Sequence, residues 1–517
     1  MMNFQEAAAK LIAPATSHPE IAGRPAIVQV PPPAQEAPDR VVTFAELQTL
    51  AGRVFSKFKR EGVGPGDAVL FCAPNSPELL AAIFAAWASG ARAVPVDYRL
   101  TASEIDNIAG RLQVKMVYCP NATLPGYKAL TAESFAAGQG APAGEMLAGL
   151  KPADEGLVIL TSGTTGVPKG AVHTLGSLVE NFVELAGVFG LKDGCSVLLP
   201  LPVSHIFGIA VALAVLTVGG KVIFADFSAA SFWPLVLRSE PSIIVGVPTI
   251  YGALLHMPRP QASLDFVEHY LSGGAPLPPA LSAEFQRAFG KQITQGYGAT
   301  ETKILTINRG GPPESVGRPL PSVKVEIVDE QHRPLPEGEI GEILIAGPSL
   351  MNGYLSQPEA TSHVLHDGHY HTGDVGRLQD GWVFINGRMK DMIIVAGNKV
   401  FPAEVEAVLA RHPLAAEVAV VGVPHWKLGQ LVKAVIVVPP GEWTERLAAG
   451  ESSKETRERL HSTFRDYCRE NLKRELRPMD WEFRPATEPL PKTHTGKVDK
   501  KMLADEELAS PPAFIPQ

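Results

Sequence analysis

The sequence predicts an α/β protein of more than one unit: a large, multi-subdomain N-terminal α/β body carrying an antiparallel β section, then a small C-terminal α+β domain. Three observations lead there. The chain has 517 residues, too many for a single hydrophobic core. Its early part alternates helical spacing with short apolar runs, the texture of layered α/β structure. That texture changes after Ser322, where short strand-like runs crowd around turn residues, and again after Asp391.

The elements follow in order. Glu46 to Glu61 has the spacing of an amphipathic helix, Ala68 to Cys72 reads as a short strand, and Glu78 to Ser89 as an apolar helix closed by Gly90. Gly156 to Leu160 is an apolar run that enters a glycine-rich loop, and Ser177 to Val188 beyond it returns to helical spacing. Ser196 to Leu201, Lys221 to Ala225 and Ser242 to Val247 are further strand candidates between helices. Lys324 to Val328 and Glu342 to Ile345 read as antiparallel strands on either side of a turn-rich Pro334 to Gly338. The C-terminal part offers a short strand, a helix at Pro402 to Arg411 and strands at Glu417 to Val421 and Val432 to Val438. Gly441 to Arg457 reads as a surface loop or helix start, and the basic run Lys454 to Arg477 as a solvated helix face.

Composition narrows the function. Hydrophobic residues make up 45% and charged residues 19%, an ordinary globular balance, and the formal charge of −8 argues against nucleic acid as a partner. Cys72, Cys119, Cys195 and Cys468 are scattered without metal-ligand spacing, so the expectation is neither a zinc site nor a disulfide framework, and a cytoplasmic location. Residues 1 to 30 lack the basic start and apolar core of a secretion signal, and the apolar run Ile206 to Val218 is too short for a transmembrane segment.

The loop from Thr161 to Gly170 carries the chemistry. It reads Thr161, Ser162, Gly163, Thr164, Thr165, Gly166, Val167, Pro168, Lys169, Gly170. Glycines let backbone N–H groups approach an anion, hydroxyls add donors, and Lys169 adds a point charge. Pro168 before Lys169 and Gly170 after it exclude a Walker A loop. By composition alone the segment could equally be a flexible turn from strand to helix.

Five more segments stand in order behind it: Gly296 to Thr302 (Gly-Tyr-Gly-Ala-Thr-Glu-Thr), Tyr370 to Asp374 (Tyr-His-Thr-Gly-Asp), Gly387 to Asp391 (Gly-Arg-Met-Lys-Asp), Gly397 to Glu404 and Pro491 to Lys497 (Pro-Lys-Thr-His-Thr-Gly-Lys). Together with the loop they resemble the adenylate-forming superfamily of acyl-CoA synthetases, firefly luciferases and peptide-synthetase adenylation domains, over nearly the whole chain. The resemblance implies an N-terminal adenylation domain over residues 1–389 and a small mobile domain over 390–517, with its hinge at Lys390. It also implies ATP, Mg2+ and coenzyme A as cofactor and co-substrates.

Site roles follow residue by residue from that resemblance. Thr161, Ser162, Gly163, Thr164, Thr165, Gly166 and Lys169 would grip the β- and γ-phosphates. Gly273, Gly274 and Ala275 would lie along the adenine and acyl sites, with Tyr297 stacking beside adenine and Gly298 next to it. Thr300 would contact the α-phosphate and Glu301 would hold magnesium. Asp374 would accept bonds from the ribose hydroxyls, a task that suits an acceptor-only carboxylate, and Arg388 would lie near the ribose and phosphates. Lys497 would stabilise charge at pentavalent phosphorus. After rotation Gly397, Asn398 and Lys399 would meet CoA, although Gly397 also reads as a plain turn glycine.

The acyl pocket would be lined by His205, Ile206, Phe207, Val247, Tyr251, Ala299 and Leu305, with His205 a gate, an acid-base group or a core histidine. Ile206 stands where amino-acid-activating relatives carry an Asp, so an ammonium would lie buried without a partner. Ala253 stands where malonate-activating relatives carry an Arg. A monocarboxylic acid with an apolar body, fatty or aromatic, remains. No carrier-protein module is visible, which favours CoA as acceptor. The alternatives are an acyl-AMP ligase that loads a carrier protein, or a non-catalytic nucleotide-binding homologue, in a monomer or homodimer.

Overall fold

The computed structural model describes residues 3–509 apart from 34, 36, 137, 162–167, 449–451 and 493–497. Contacts divide the chain into two compact units: one holds residues 1–325, 344–371 and 381–383, the other 326–343, 372–380 and 384–517.

The first unit is built on two large sheets. One runs, in order of pairing, 318–319, 303–308, 293–299, 269–272, 243–246, 196–199, 221–224, 25–29 and 40–43. Its middle is parallel, and antiparallel partners cover both ends. The other runs 353–354, 169–174, 155–161, 92–95, 68–71, 116–118 and 128–130. The strand expectations at Ala68, Ser196, Lys221 and Ser242 all fall in these sheets. Their short apolar runs are fully buried, as strands covered on both faces require.

Local signals set the helix ends. Helix Phe44–Arg60 starts at a two-way capping box, in which Thr43 Oγ1 accepts from Glu46 N–H at 3.2 Å and Glu46 Oε2 accepts from Thr43 N–H at 2.8 Å. Helix Leu175–Phe189 ends on Gly190 at φ 63°, the left-handed stop that glycine allows. Helix Ile206–Thr217 has no polar face at all, and from Gly208 onward every one of its residues is buried. No described helix is long and apolar enough to cross a membrane.

The glycine-rich loop does not lead from strand to helix. Strands Glu155–Thr161 and Lys169–Thr174 pair antiparallel, with Thr161 opposite Lys169, and the helix begins only at Leu175. Pairing with a neighbour, invisible in a local window, makes Lys169–Thr174 a strand.

The second unit holds the sheet 398–400, 393–395, 429–437, 417–425, with 480–484 added to 429–437. Helix Ser452–Asn471 covers one face through Leu460, Phe464 and Cys468, spaced four apart and continued by Leu472 beyond the helix end. The basic run is therefore solvated on one side only. Each such apolar side chain contributes about 1.5–3 kcal/mol on burial. Glu442–Ala448, read from sequence as a loop or helix start, is a helix of its own.

Candidate active site

The segment Gly296 to Lys303 forms a tight reversal between strands Ile293–Ala299 and Lys303–Asn308. The ladder slips between Tyr297 and Gly298, and a Cβ on Gly298 would stand 1.9 Å from the Lys303 carbonyl oxygen. Glycine is therefore required there by backbone approach. Ala299 N–H donates to Thr302 Oγ1 at 3.1 Å and Thr302 N–H to the Ala299 carbonyl at 3.2 Å, closing the turn around Thr300 and Glu301.

Glu301 is half-buried, and Tyr354 O–H donates to its Oε1 at 2.7 Å. The Tyr354 ring lies 5.0 Å from Lys169 Nζ, a cation–π distance. Strand Gly353–Tyr354 pairs with Lys169–Thr174, placing Tyr354 opposite Ala171. One tyrosine thus joins the lysine of the glycine-rich loop to the acid of the turn. Burial, and then the Glu301 charge, push its hydroxyl far above the ordinary tyrosine range, so it stays protonated and donating.

A second contact reaches the turn from behind. Lys169, Ala171 and His173 share one face of their strand by its alternation. His173, fully buried, donates from Nε2 to the Thr300 carbonyl at 2.7 Å. Its Nδ1 faces Lys303 Nζ at 3.3 Å, and that ammonium also reaches Ser177 Oγ at 3.2 Å and the Ser349 carbonyl at 2.6 Å. Lys303 is completely buried at φ 61°, and burial lowers its pKa to about 7. Burial, then Lys303, holds His173 well below its usual range and therefore neutral. Nothing in the sequence reading singled out His173, Lys303 or Tyr354. The available signals were the charged residue at the head of the apolar strand 303–308 and period-two alternation from Lys169.

The acyl-side candidates divide. The turn Leu201 to His205 is clamped by Asn75, whose Nδ2 donates to the Leu201 carbonyl at 2.8 Å and whose Oδ1 accepts from Val203 N–H at 2.9 Å. His205 is exposed at the start of helix Ile206–Thr217, and Ile206 and Phe207 form the helix's half-buried first turn. The Phe207 ring packs on Gly273, where a Cβ would meet it at 3.1 Å, and a Cβ on Gly274 would come within 4.0 Å of Val247. Ala275, Val247 and Ala299 are half-buried. Leu305 is fully buried. So is Tyr251, whose hydroxyl donates toward the Ile244 and Leu271 carbonyls at 3.1 and 2.6 Å; its side chain belongs to an aromatic core with Tyr270 and Phe285.

In the second unit Asp374, buried, lies 3.1 Å from Arg388 Nε, and its N–H donates to Thr372 Oγ1 at 2.9 Å. Burial lowers the pKa of Lys390 below the ordinary lysine range. Ala396 and Gly397, at φ 47° and 88°, form a two-residue hairpin turn between Val395 and Asn398. Asn398 and Lys399 are exposed, and Lys399 pairs with Glu330. Ser162, Gly163, Thr164, Thr165, Gly166 and Lys497 lie outside the described residues.

Comparison with known proteins gives the family. The AMP-binding enzyme family matches residues 21–355, and the AMP-binding enzyme C-terminal domain matches 404–497. A feruloyl-CoA synthase of Amycolatopsis sp. is 36% identical over 422 residues, 77% of this chain and 84% of that protein. The long-chain-fatty-acid–CoA ligase FadD13 of Mycobacterium tuberculosis is 30% identical over 495 residues, 91% and 94% of the two chains. The ATP-bound crystal structure of MatB from Rhodopseudomonas palustris matches with a TM-score of 0.80 at 27% identity, covering 98% of this chain and 99% of that one. The chain therefore belongs to the AMP-binding enzyme family, on its acyl-CoA synthetase branch, and is an enzyme of the AMP-forming acid–thiol ligase class.

Proposed function

We propose that the protein activates an apolar monocarboxylic acid, fatty or aromatic, with ATP and then passes the acyl group to coenzyme A. A carboxylate oxygen attacks the α-phosphorus, the bond to pyrophosphate breaks, and acyl-AMP forms. The CoA thiol, losing its proton, then attacks the acyl carbon, and AMP leaves with the electron pair of the C–O bond. The observation that carries this reading is the Lys169, Tyr354, Glu301 chain, which sets a loop cation and a turn carboxylate at the two ends of one side chain. Lys169 and the hydroxyls from Thr161 to Thr165 hold the β- and γ-phosphates. Thr300 meets the α-phosphate, Tyr297 stands beside adenine, and Asp374 with Arg388 holds the ribose.

Glu301 fits Mg2+: it is a hard oxygen donor, and among the described residues Tyr354 bonds one of its two oxygens. Bound there, the ion would neutralise phosphate charge. Lys497 supports the pentavalent phosphorus. Domain rotation about Lys390, from a body of 1–389 to a small domain of 390–517, then exchanges Lys497 for Gly397, Asn398 and Lys399. The half-buried apolar surface of Ile206, Phe207, Val247 and Ala299 supports an apolar acid, as do one aromatic-acid and one fatty-acid relative. Four free thiols suit a reducing cytoplasm.

The test is product identification with ATP, Mg2+ and a panel of fatty and aromatic acids, with and without CoA. AMP, pyrophosphate and an acyl-thioester whose formation depends on CoA are expected. ADP as product would overturn the reaction, and acyl-AMP that accumulates regardless of CoA would move the acceptor to a carrier protein.

A further inference from the structure

The structure assigns a positioning role to two residues behind the catalytic turn: we propose that the buried pair Lys303 and His173 holds Thr300 and Glu301 in the geometry that receives the α-phosphate and its metal. This deepens the reading above and rests on it.

The argument is one of donors and acceptors. An ammonium has three N–H donors and no acceptor. Lys303 meets three acceptors, the Ser349 carbonyl, Ser177 Oγ and His173 Nδ1. Because Nδ1 accepts, the His173 proton must sit on Nε2, and Nε2–H is the atom aimed at the Thr300 carbonyl. Lys303 and the Thr300 carbonyl thus require the same tautomer, and Lys303 holds the ring whose Nε2–H anchors Thr300. With Lys303 replaced by an apolar side chain, Nδ1 is left buried without its donor and the imidazole loses the contact that fixes its ring behind the turn, so the bond to Thr300 loosens.

The anchor has few substitutes. Thr302 spans the turn from Ala299, and Met351 N–H donates to the Glu301 carbonyl at 2.8 Å, but the contact to Thr300 O comes from His173. Lys303 also occupies a left-handed backbone conformation while completely buried, two conditions that a lysine meets only when its surroundings hold it. Both side chains are completely buried and reach the site through the Thr300 backbone, so they are positioning residues.

Three variants test this: Lys303→Met, His173→Phe and His173→Gln, whose amide can donate to Thr300 O and accept from Lys303. Affinity for a non-cleavable ATP analogue is measured by calorimetry with and without Mg2+, alongside thermal melting and the acid-dependent exchange of pyrophosphate into ATP. Lys303→Met and His173→Phe are expected to lose about tenfold or more of the Mg2+-dependent affinity and about 100-fold in kcat, as lost supporting contacts do, with KM for the acid little changed. His173→Gln is expected to recover most of both, whatever its melting temperature. Folded Lys303→Met or His173→Phe protein with wild-type Mg2+-dependent affinity would overturn the proposal, as would folded His173→Gln no better than His173→Phe. Should His173→Phe not fold, Lys303→Met and His173→Gln decide. Should the wild type exchange no pyrophosphate with any acid, the acid-activating reading fails, while nucleotide affinity still judges the pair.

Discussion

Two turns carry the residues assigned to the two half-reactions, and they are held in opposite ways. The turn at Thr300 and Glu301 ends on Lys303, a non-glycine residue at φ 61° whose ammonium meets the Ser349 carbonyl, and is fixed by His173 at the Thr300 carbonyl and by Tyr354 at the Glu301 carboxylate. The turn at Ala396 and Gly397 stands in the open, and a Cβ on Gly397 would meet nothing within 4 Å. Its shape comes from the local preference of a two-residue hairpin. The lesson is that the turn assigned to metal and phosphate is held by buried partners from other elements. The turn assigned to the thiol is held by backbone bonds, its own hairpin pairing and Ala396 N–H to the Leu428 carbonyl at 2.9 Å, and its tip is exposed to meet a moving ligand.

That contrast can be pushed until it breaks. The largest expected effect is on chemistry: Glu301→Gln keeps the size of the side chain and removes the charge. It should lower acyl-AMP formation by about 10^2–10^3-fold, the usual loss for one electrostatic group at a reacting centre, as read by pyrophosphate release. Gly298→Ala comes next. Its methyl would meet the Lys303 carbonyl, a backbone atom that cannot rotate away, so a loss of about 3 kcal/mol is expected in denaturant melts. Gly397→Ala should cost only about 1 kcal/mol, from backbone strain at positive φ, and should leave adenylation untouched while slowing thioester formation. Equal losses at the two glycines would erase the distinction between a packed turn and an open one.

The smallest effect sharpens the comparison through pH. His412 packs against Phe464 and Tyr467 in the second unit, and burial lowers its pKa from 6.5. The folded unit resists a proton that the unfolded chain accepts. Its contribution is therefore complete above pH 6.5 and is lost as pH falls through 6.5 toward the lower folded value. Melting of wild type and His412→Leu between pH 8 and pH 5 should show a smaller acid loss in the variant; identical slopes would remove His412 as the cause.

What the sequence determined by itself is what short-range rules encode. The order of the motifs, the buried parallel strands, the capped start of helix Phe44–Arg60 and the glycine in each turn all follow from neighbours a few positions apart. Glu301 and Lys169 could be singled out for the same reason: their motifs are contiguous. Tertiary structure decided the rest. Only pairing across the sheet turned the segment after the loop into a strand, and only packing placed Tyr251 in an aromatic core and gave helix Ser452–Asn471 a buried stripe. Most of all, it joined Tyr354 to Glu301 and His173 to Thr300, contacts 53 and 127 residues apart along the chain. A buried donor must find an acceptor wherever the fold brings one, and no local pattern records which distant residue that is.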